Sequence, residues 1–268
     1  GEPGSGKTHV VNLFVAWLKE NGVRPAVTAS TGIAATHIGG YTLHSWSGIG
    51  VRSVLTSADL DRIERNRRTV GRMRDAYVLI IDEVSMLSAP VFEMAEAVCR
   101  RVRGSSAPFG GMQVVLVGDF FQLPPVAPRE LRDEQGGLFE GRTRSGEDLF
   151  AFASPLWSSL RMTPCYLLEQ YRQEDAVFLE ALSAVRRGAV TAAHRALLES
   201  RFRAVQEPGR GTTQLFSHNA DVDRVNGGEL KKLPGKELNF EMTGRGPKAL
   251  VAELKRGCLS PEKLALKI

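Results

Sequence analysis

Eight residues constrain this chain more than any others. Gly1-Glu2-Pro3-Gly4-Ser5-Gly6-Lys7-Thr8 has the form G-x-x-x-x-G-K-T, and the demands of that spacing are physical. Its glycines let the backbone turn with N–H groups pointing inward around an anion. Lys7 then offers a point charge to the outer phosphates of a nucleotide, and the Thr8 hydroxyl is placed to ligate Mg²⁺. Gly1, Gly4, Ser5, Gly6, Lys7 and Thr8 are therefore the candidate nucleotide contacts. His9 to Glu20 follow with Val10, Val11, Phe14, Val15, Trp17 and Leu18 near helical spacing, and a helix N-terminus favours anions. The plain alternative is a glycine-rich turn that merely precedes a helix. The motif calls for a buried strand before it, so a chain that begins at Gly1 is expected to be a fragment.

Further along, short apolar runs end on polar residues. Pro25 to Ala29 leads into Ser30-Thr31-Gly32, Tyr77 to Ile81 into Asp82-Glu83, and Met112 to Val117 into Gly118-Asp119. Such runs suit strands buried on both faces. Helical stretches lie between them, notably residues 88–103. Strand–helix alternation predicts a doubly wound α/β sheet with its ligand at the carboxyl ends of the strands. An aspartate at a strand end can hold Mg²⁺, here Asp82, and the adjacent Glu83 can act as a general base toward water. An acidic turn is the bland reading of that pair, and it weakens once Lys7 and Thr8 are considered, because phosphoryl transfer needs both sites.

Other candidates are less specific. Asp119 and Gln122 form a polar pair suited to sensing a phosphate or orienting water; an ordinary turn is the alternative. Arg172 has the planar, permanent charge that suits developing phosphoryl charge, but nothing local separates it from a surface arginine. Between Thr31 and Gly50, the residues Thr31, His44 and Ser45 suit nucleic-acid phosphates. Trp46 suits either a stacked base or the core.

The remaining sequence reads more weakly. Residues 51–75 are basic, with helices or loops. Residues 127–148 read as a surface insertion, and 149–160 as one helix. Tyr166–Leu168 and Gln214–Phe216 read as short strands, and 176–187 and 190–200 as helices. Asn219 is suited to cap a helix through Val225. The net charge of +5 permits a polyanionic partner; the arginines at 62–74 and 100–103 also suit a solvated helix face. The three cysteines have no C-x-x-C spacing, which favours a reducing compartment. No apolar run reaches the ~18 residues of a membrane span, so no membrane partner is expected.

The order of motifs resembles a known family. G-E-P-G-S-G-K-T, V-T-A-S-T-G-I-A-A, Y-T-L-H-S-W-S-G-I-G, L-I-I-D-E-V-S-M-L, P-F-G-G-M-Q-V-V-L-V-G-D-F-F-Q-L-P-P-V, L-L-E-Q-Y-R-Q and L-F-S-H-N-A-D-V-D-R-V-N are similar to the Pif-type ATP-dependent 5′→3′ DNA helicases, relatives of RecD in helicase superfamily one. The resemblance runs from Gly1 to about Asn226, and the stretch from Ser85 to Gly111 carries the family's own signature. It implies tandem RecA-like domains: a first over 1–165, lacking its first strand and with a small wedge at 46–65; an incomplete second from 166–233; and the start of an SH3-like insertion at 234–268. ATP and Mg²⁺ would sit between the domains. Lys7 and Thr8 would bind phosphates and metal, Asp82 would bind metal, Glu83 would activate water, Gln122 would sense the γ-phosphate and Arg172 would be a finger. Thr31, Gly32, His44 and Ser45 would touch single-stranded DNA.

The resemblance further implies unwinding of forked or structured DNA in repair, recombination and telomere maintenance, by a monomer. Its location would be the nucleus or mitochondrion of a eukaryote or the cytoplasm of a bacterium. A strand before the phosphate loop and later second-domain motifs, expected in the family, lie outside these residues. A catalytically incomplete nucleotide- or single-strand-binding module is the competing expectation.

Overall fold

The structure is a computed structural model that describes residues 1–50, 52–126, 149–202, 213–216, 219–246, 251, 255 and 262–267. It divides into two compact units, Gly1–Glu199 and Ser200–Ile268. Residues 166–199, assigned from the sequence to a second domain, group with the first unit. The expected insertion at 127–148 lies outside the described residues.

The first unit is built on a parallel sheet. Its strands are β1 (Pro25–Ala29), β2 (Tyr41–Thr42), β3 (Val78–Asp82) and β4 (Gln113–Leu116), in the order β2-β1-β3-β4. Every residue of β3 is buried, which is why its sequence is apolar without alternation. Side chains still alternate between faces. Val78 and Ile80 pack with Val11, Val15 and Leu18 of α1 (Lys7–Glu20). Leu79 and Ile81 pack on the other face with Phe92, Ala95, Val98 and Val102 of α6 (Ala89–Arg103). This is the α/β class the sequence predicted, a parallel sheet flanked by helices.

Between β1 and β3 the chain forms α2 (Gly32–His37), α3 (Leu43–Ser47), α4 (Ser57–Arg65) and α5 (Arg67–Arg74). No periodicity marks α3, because five residues are too few for one. Thr42 caps it, its hydroxyl accepting from the Ser45 N–H. Leu43, Trp46 and Ile49 are buried against the α6 side of the sheet. The expected wedge at 46–65 therefore begins in the core, and its exposed part starts later.

Several arginines of the basic clusters are structural ties rather than a bare positive face. Arg101 bridges Asp61 and Glu64 of α4, and Arg52 pairs with Asp59. Arg103 donates to the carbonyls of Met73, Ala76 and Gly110 at 2.8–2.9 Å.

The expected helix over 149–160 is instead a 3₁₀ turn, Ala151–Ala153, followed by α7 (Pro155–Ser159). Pro155 disfavours helical backbone at Ser154 and starts a new helix there. Tyr166–Leu168 and Gln214–Phe216 are irregular, not strands. Tyr166 and Leu168 are exposed, so that apolar run is not a buried sheet element. Two helices follow, α8 (Ala176–Arg186) and α9 (Ala192–Arg201). In the second unit, α10 (Asn219–Lys232) runs past Val225. Among the described residues beyond 165, the one sheet is the antiparallel pair β5 (Glu237–Glu241) and β6 (Lys263–Lys267).

Candidate functional site

Strand register brings the polar strand ends together. Ala29 lies beside Asp82, and Ile81 beside Leu116, so Ser30–Gly32, Asp82-Glu83 and Gly118-Asp119 share one edge of the sheet. Hydrogen bonds fix this edge. The Ser30 hydroxyl donates to the Glu83 carbonyl at 2.8 Å, the Val84 N–H to the Val117 carbonyl at 2.9 Å, and the Thr28 hydroxyl to the Ile80 carbonyl at 2.7 Å.

The phosphate loop faces this edge. Gly4 and Gly6 adopt left-handed backbone, φ 81° and 79°, which a side chain strains. A Cβ on Gly4 would also lie 2.7 Å from the Arg172 Cβ. Ser5 is buried, its hydroxyl donating to the Glu2 carbonyl at 2.7 Å. Lys7 Nζ donates to the carbonyls of Gly1 and Glu2, both at 3.0 Å. Thr8 is exposed in the first turn of α1.

Gly4, Gly6, Lys7, Thr8, Glu83, Gln122, Tyr171 and Arg172 line a single cavity of about 350 Å³. Of the predicted nucleotide and catalytic residues, then, Gly4, Gly6, Lys7, Thr8, Glu83, Gln122 and Arg172 converge, whereas Gly1 and Ser5 do not line this cavity. Asp82 lies immediately behind, buried, with one carboxylate oxygen accepting the Glu83 N–H at 2.9 Å. Glu83 itself has left-handed backbone, φ 53°, which costs a non-glycine residue free energy.

Charges here are displaced from their ordinary behaviour. Burial raises the Asp82 carboxyl, partly offset by its hydrogen bond from the Glu83 N–H and by Lys7. Burial, then the neighbouring Asp82 charge, raises the Glu83 carboxyl. Burial would also raise Asp119, but donors from Arg186, Gln122 and the Phe121 N–H outweigh it and hold that carboxyl at about 2.

Beside this cavity is a more apolar one of about 730 Å³, lined by Ser5, Gly6, His9, Val10, Tyr166–Glu169 and Tyr171. Tyr171 borders both, and its N–H donates to the Gly4 carbonyl at 3.0 Å. The sequence contained Tyr171 beside Arg172 but gave no reason to single it out.

The four phosphate-contact candidates occupy the neighbouring strand ends, because Ala29 pairs with Thr42. Thr31 caps α2, its hydroxyl accepting from the Ala34 N–H at 3.3 Å. Gly32 and Ser45 are exposed. His44 is half-buried, and burial lowers its pKa, which disfavours the charged imidazolium. Trp46 is corrected: at 2% exposure its ring is core and offers no stacking face. Two further residues complete this edge, Arg72 of the basic 62–74 cluster and Tyr41. The Arg72 guanidinium donates to the Ser45 carbonyl and lies 5.7 Å from the centroid of the exposed Tyr41 ring.

A glycine-rich loop on a helix N-terminus, with a lysine inside it and an acidic pair at the end of the buried strand β3, defines the P-loop class of α/β nucleotide-binding folds. A family model described as PIF1-like helicase matches residues 1–196, and the chain belongs to that family. It is 40% identical over 275 residues to the ATP-dependent DNA helicase Pif1 of Psychrobacter sp., an alignment covering all of this chain and 40% of that protein. It is 37% identical over 251 residues to the Danio rerio ATP-dependent DNA helicase PIF1, covering 92% of this chain and 36% of the relative.

Among solved structures, the Pif1 helicase of Candida albicans superposes with a TM-score of 0.81 at 31% identity, covering all of this chain and 58% of that one. Bacteroides Pif1 bound to single-stranded DNA superposes with a TM-score of 0.74 at 28% identity, covering all of this chain and 59% of that one. The chain thus spans 36 to 40% of the length of these two curated relatives. Among the described residues, no helix is long and apolar enough to cross a membrane.

Proposed function

We propose that this chain forms the ATP-hydrolysing part of an ATP-dependent 5′→3′ DNA helicase, one that moves along single strands and opens forked or structured duplex DNA. The observation that carries the reading is the 350 Å³ cavity ringed by Lys7, Thr8, Glu83, Gln122 and Arg172. The relatives' names support it, as does a Bacteroides Pif1 structure in complex with ADP-AlF4.

In this reading Lys7 exchanges its two carbonyl partners for phosphate oxygens, and the left-handed glycines keep loop N–H groups available to the same anion. Thr8 and Asp82 are the residues that fit Mg²⁺: a hydroxyl, and a carboxylate whose pKa burial raises and whose charge a cation would favour. Few protein ligands are what Mg²⁺ takes beside phosphates. An ion held by these two residues would supply positive charge to the phosphate chain. Glu83 takes the proton of the attacking water, and its raised pKa makes it the better base. Gln122 senses the γ-phosphate. Arg172 faces the charge that develops on the transferred group, a role worth about 10³-fold or more in rate. The apolar cavity bordered by Tyr171 takes the nucleoside.

Thr31, Gly32, His44 and Ser45 bind the single strand at the adjoining sheet edge. We further propose residues 166–233 as the start of a second RecA-like half, although 166–199 group with the first unit, with 234–268 as the start of an SH3-like insertion and a monomer as the working unit. Roles in repair, recombination and telomere maintenance follow from the same reading, as does a nuclear or mitochondrial location in a eukaryote.

Lys7→Ala in the full-length protein tests this. Loss of ATP turnover stimulated by single-stranded DNA is expected; retained turnover refutes the assignment. DNA affinity should also fall with salt, by about 0.7 counterions per phosphate neutralised.

A further inference from the structure

Arg186 is distant in sequence from every motif above, yet it is built into the phosphate site. It ends α8, and its Nη1 donates to Asp119 Oδ2 at 2.8 Å. Its Nε lies 3.9 Å from Glu2 Oε1, and its guanidinium lies 4.4 Å from the centroid of the Phe121 ring. Asp119 is itself a hub. Its Oδ2 also accepts from Gln122 Nε2 at 3.1 Å, and its Oδ1 accepts the Phe121 N–H at 3.2 Å. Glu2, within the phosphate loop, accepts from Gln170 Nε2 at 2.7 Å. One guanidinium therefore ties α8 to the loop and to the turn that carries Gln122.

We infer that Arg186 is a positioning residue of the phosphate site: through Asp119 and Glu2 it fixes where Gln122 and the loop stand, without touching the nucleotide. This rests on the nucleotide reading of that cavity. The Asp119 side chain is wholly buried, and a buried carboxylate persists only with a charged or hydrogen-bonding partner. As an anion it can only accept, so it holds Gln122 by the amide NH₂ and leaves Oε1 free of it. A protonated Asp119 could donate to Oε1 and turn the amide round. Arg186 thus decides which face of the Gln122 amide is presented to the cavity.

Arg172 contrasts with it. Arg172 lines the cavity and has no ion pair among the described residues, so its charge is available to a phosphate. The charge of Arg186 is already committed to two carboxylates.

The test compares affinities for ADP and for ADP–AlF4, each with Mg²⁺, in the wild-type chain, Arg186→Ala and Arg186→Lys. ADP–AlF4 fills the γ-position and ADP does not. Arg186→Ala should weaken ADP–AlF4 about tenfold more than ADP, the size of one lost charge-assisted hydrogen bond. Arg186→Lys, which keeps the charge but not the fork that spans both carboxylates, should lose a smaller part of the same preference. Thermal melting reports whether each variant folds; if Arg186→Ala does not, Arg186→Lys alone decides. An unchanged preference, or equal loss for both nucleotides, overturns the inference. A wild-type chain that binds neither nucleotide instead overturns the phosphate-site reading on which it rests.

Discussion

Replacing Trp46 with alanine separates two physical roles that the sequence left open. The side chain is 2% exposed and belongs to the cluster of Leu43, Ile63, Met73 and Phe92. A buried tryptophan removes about 200 Å² from water. At about 25 cal/mol per Å² that is about 5 kcal/mol, and truncations of buried Phe or Trp to Ala cost about 3–5 kcal/mol. For a chain of this size each kcal/mol lowers the midpoint by about 2–4 °C, so Trp46→Ala should melt roughly 6–20 °C below wild type. Trp46→Phe keeps most of the apolar volume and should lose less than half of that. Urea or thermal denaturation followed by circular dichroism measures both. If Trp46→Ala melts within about 1 kcal/mol of wild type while affinity for single-stranded DNA falls selectively, the ring is a stacking platform and the burial argument is wrong.

Other outcomes follow from the same geometry. Burial raises the Asp82 carboxyl above its unfolded value, so the folded chain bears a cost for that charge. This cost is absent below the unfolded pKa and grows as pH rises through the raised folded value. Asp82→Asn should therefore raise the melting temperature without nucleotide, more at pH 7 than at pH 4, while weakening Mg²⁺-dependent nucleotide binding; a lower melting temperature at pH 7 refutes the sign. Arg103 satisfies the carbonyls of Met73, Ala76 and Gly110, and Arg103→Ala should cost about 2–3 kcal/mol of stability in chemical denaturation. The salt dependence of DNA binding should not change in that variant, and a reduced slope would mean that Arg103 contacts phosphate.

The sheet was legible in the sequence because burial on both faces leaves a simple trace. Val78 to Ile81 needs no partner to be recognised, and the polar residues after each strand mark the edge where the candidate site lies. The phosphate loop and the Asp82-Glu83 pair were legible for a similar reason: their chemistry is contiguous. What escaped was set by distance in the chain. Arg186 reads as an ordinary helix-end arginine until Asp119, 67 residues away, is brought to it. Arg72 and Tyr41 become neighbours of Ser45 only through the packing of α3 and α5. Trp46 sat in a stretch too short for periodicity, so its direction depended on a five-residue helix. Tyr166–Leu168 failed as a strand because local apolarity does not provide a pairing partner.

The contacts of Lys7 bear on how the loop meets its ligand. Its ammonium donates to two carbonyls of the same loop, so the loop closes on itself through Lys7 in a hydrogen-bonded ring rather than presenting a bare charge. Entry of a phosphate is then a substitution reaction. A lone anion must break two contacts for one new one, whereas a polyphosphate reaches the lysine and the loop N–H groups together. On the proposed nucleotide reading, a preference for longer phosphate chains would follow from these two contacts alone, separately from any recognition of base or DNA.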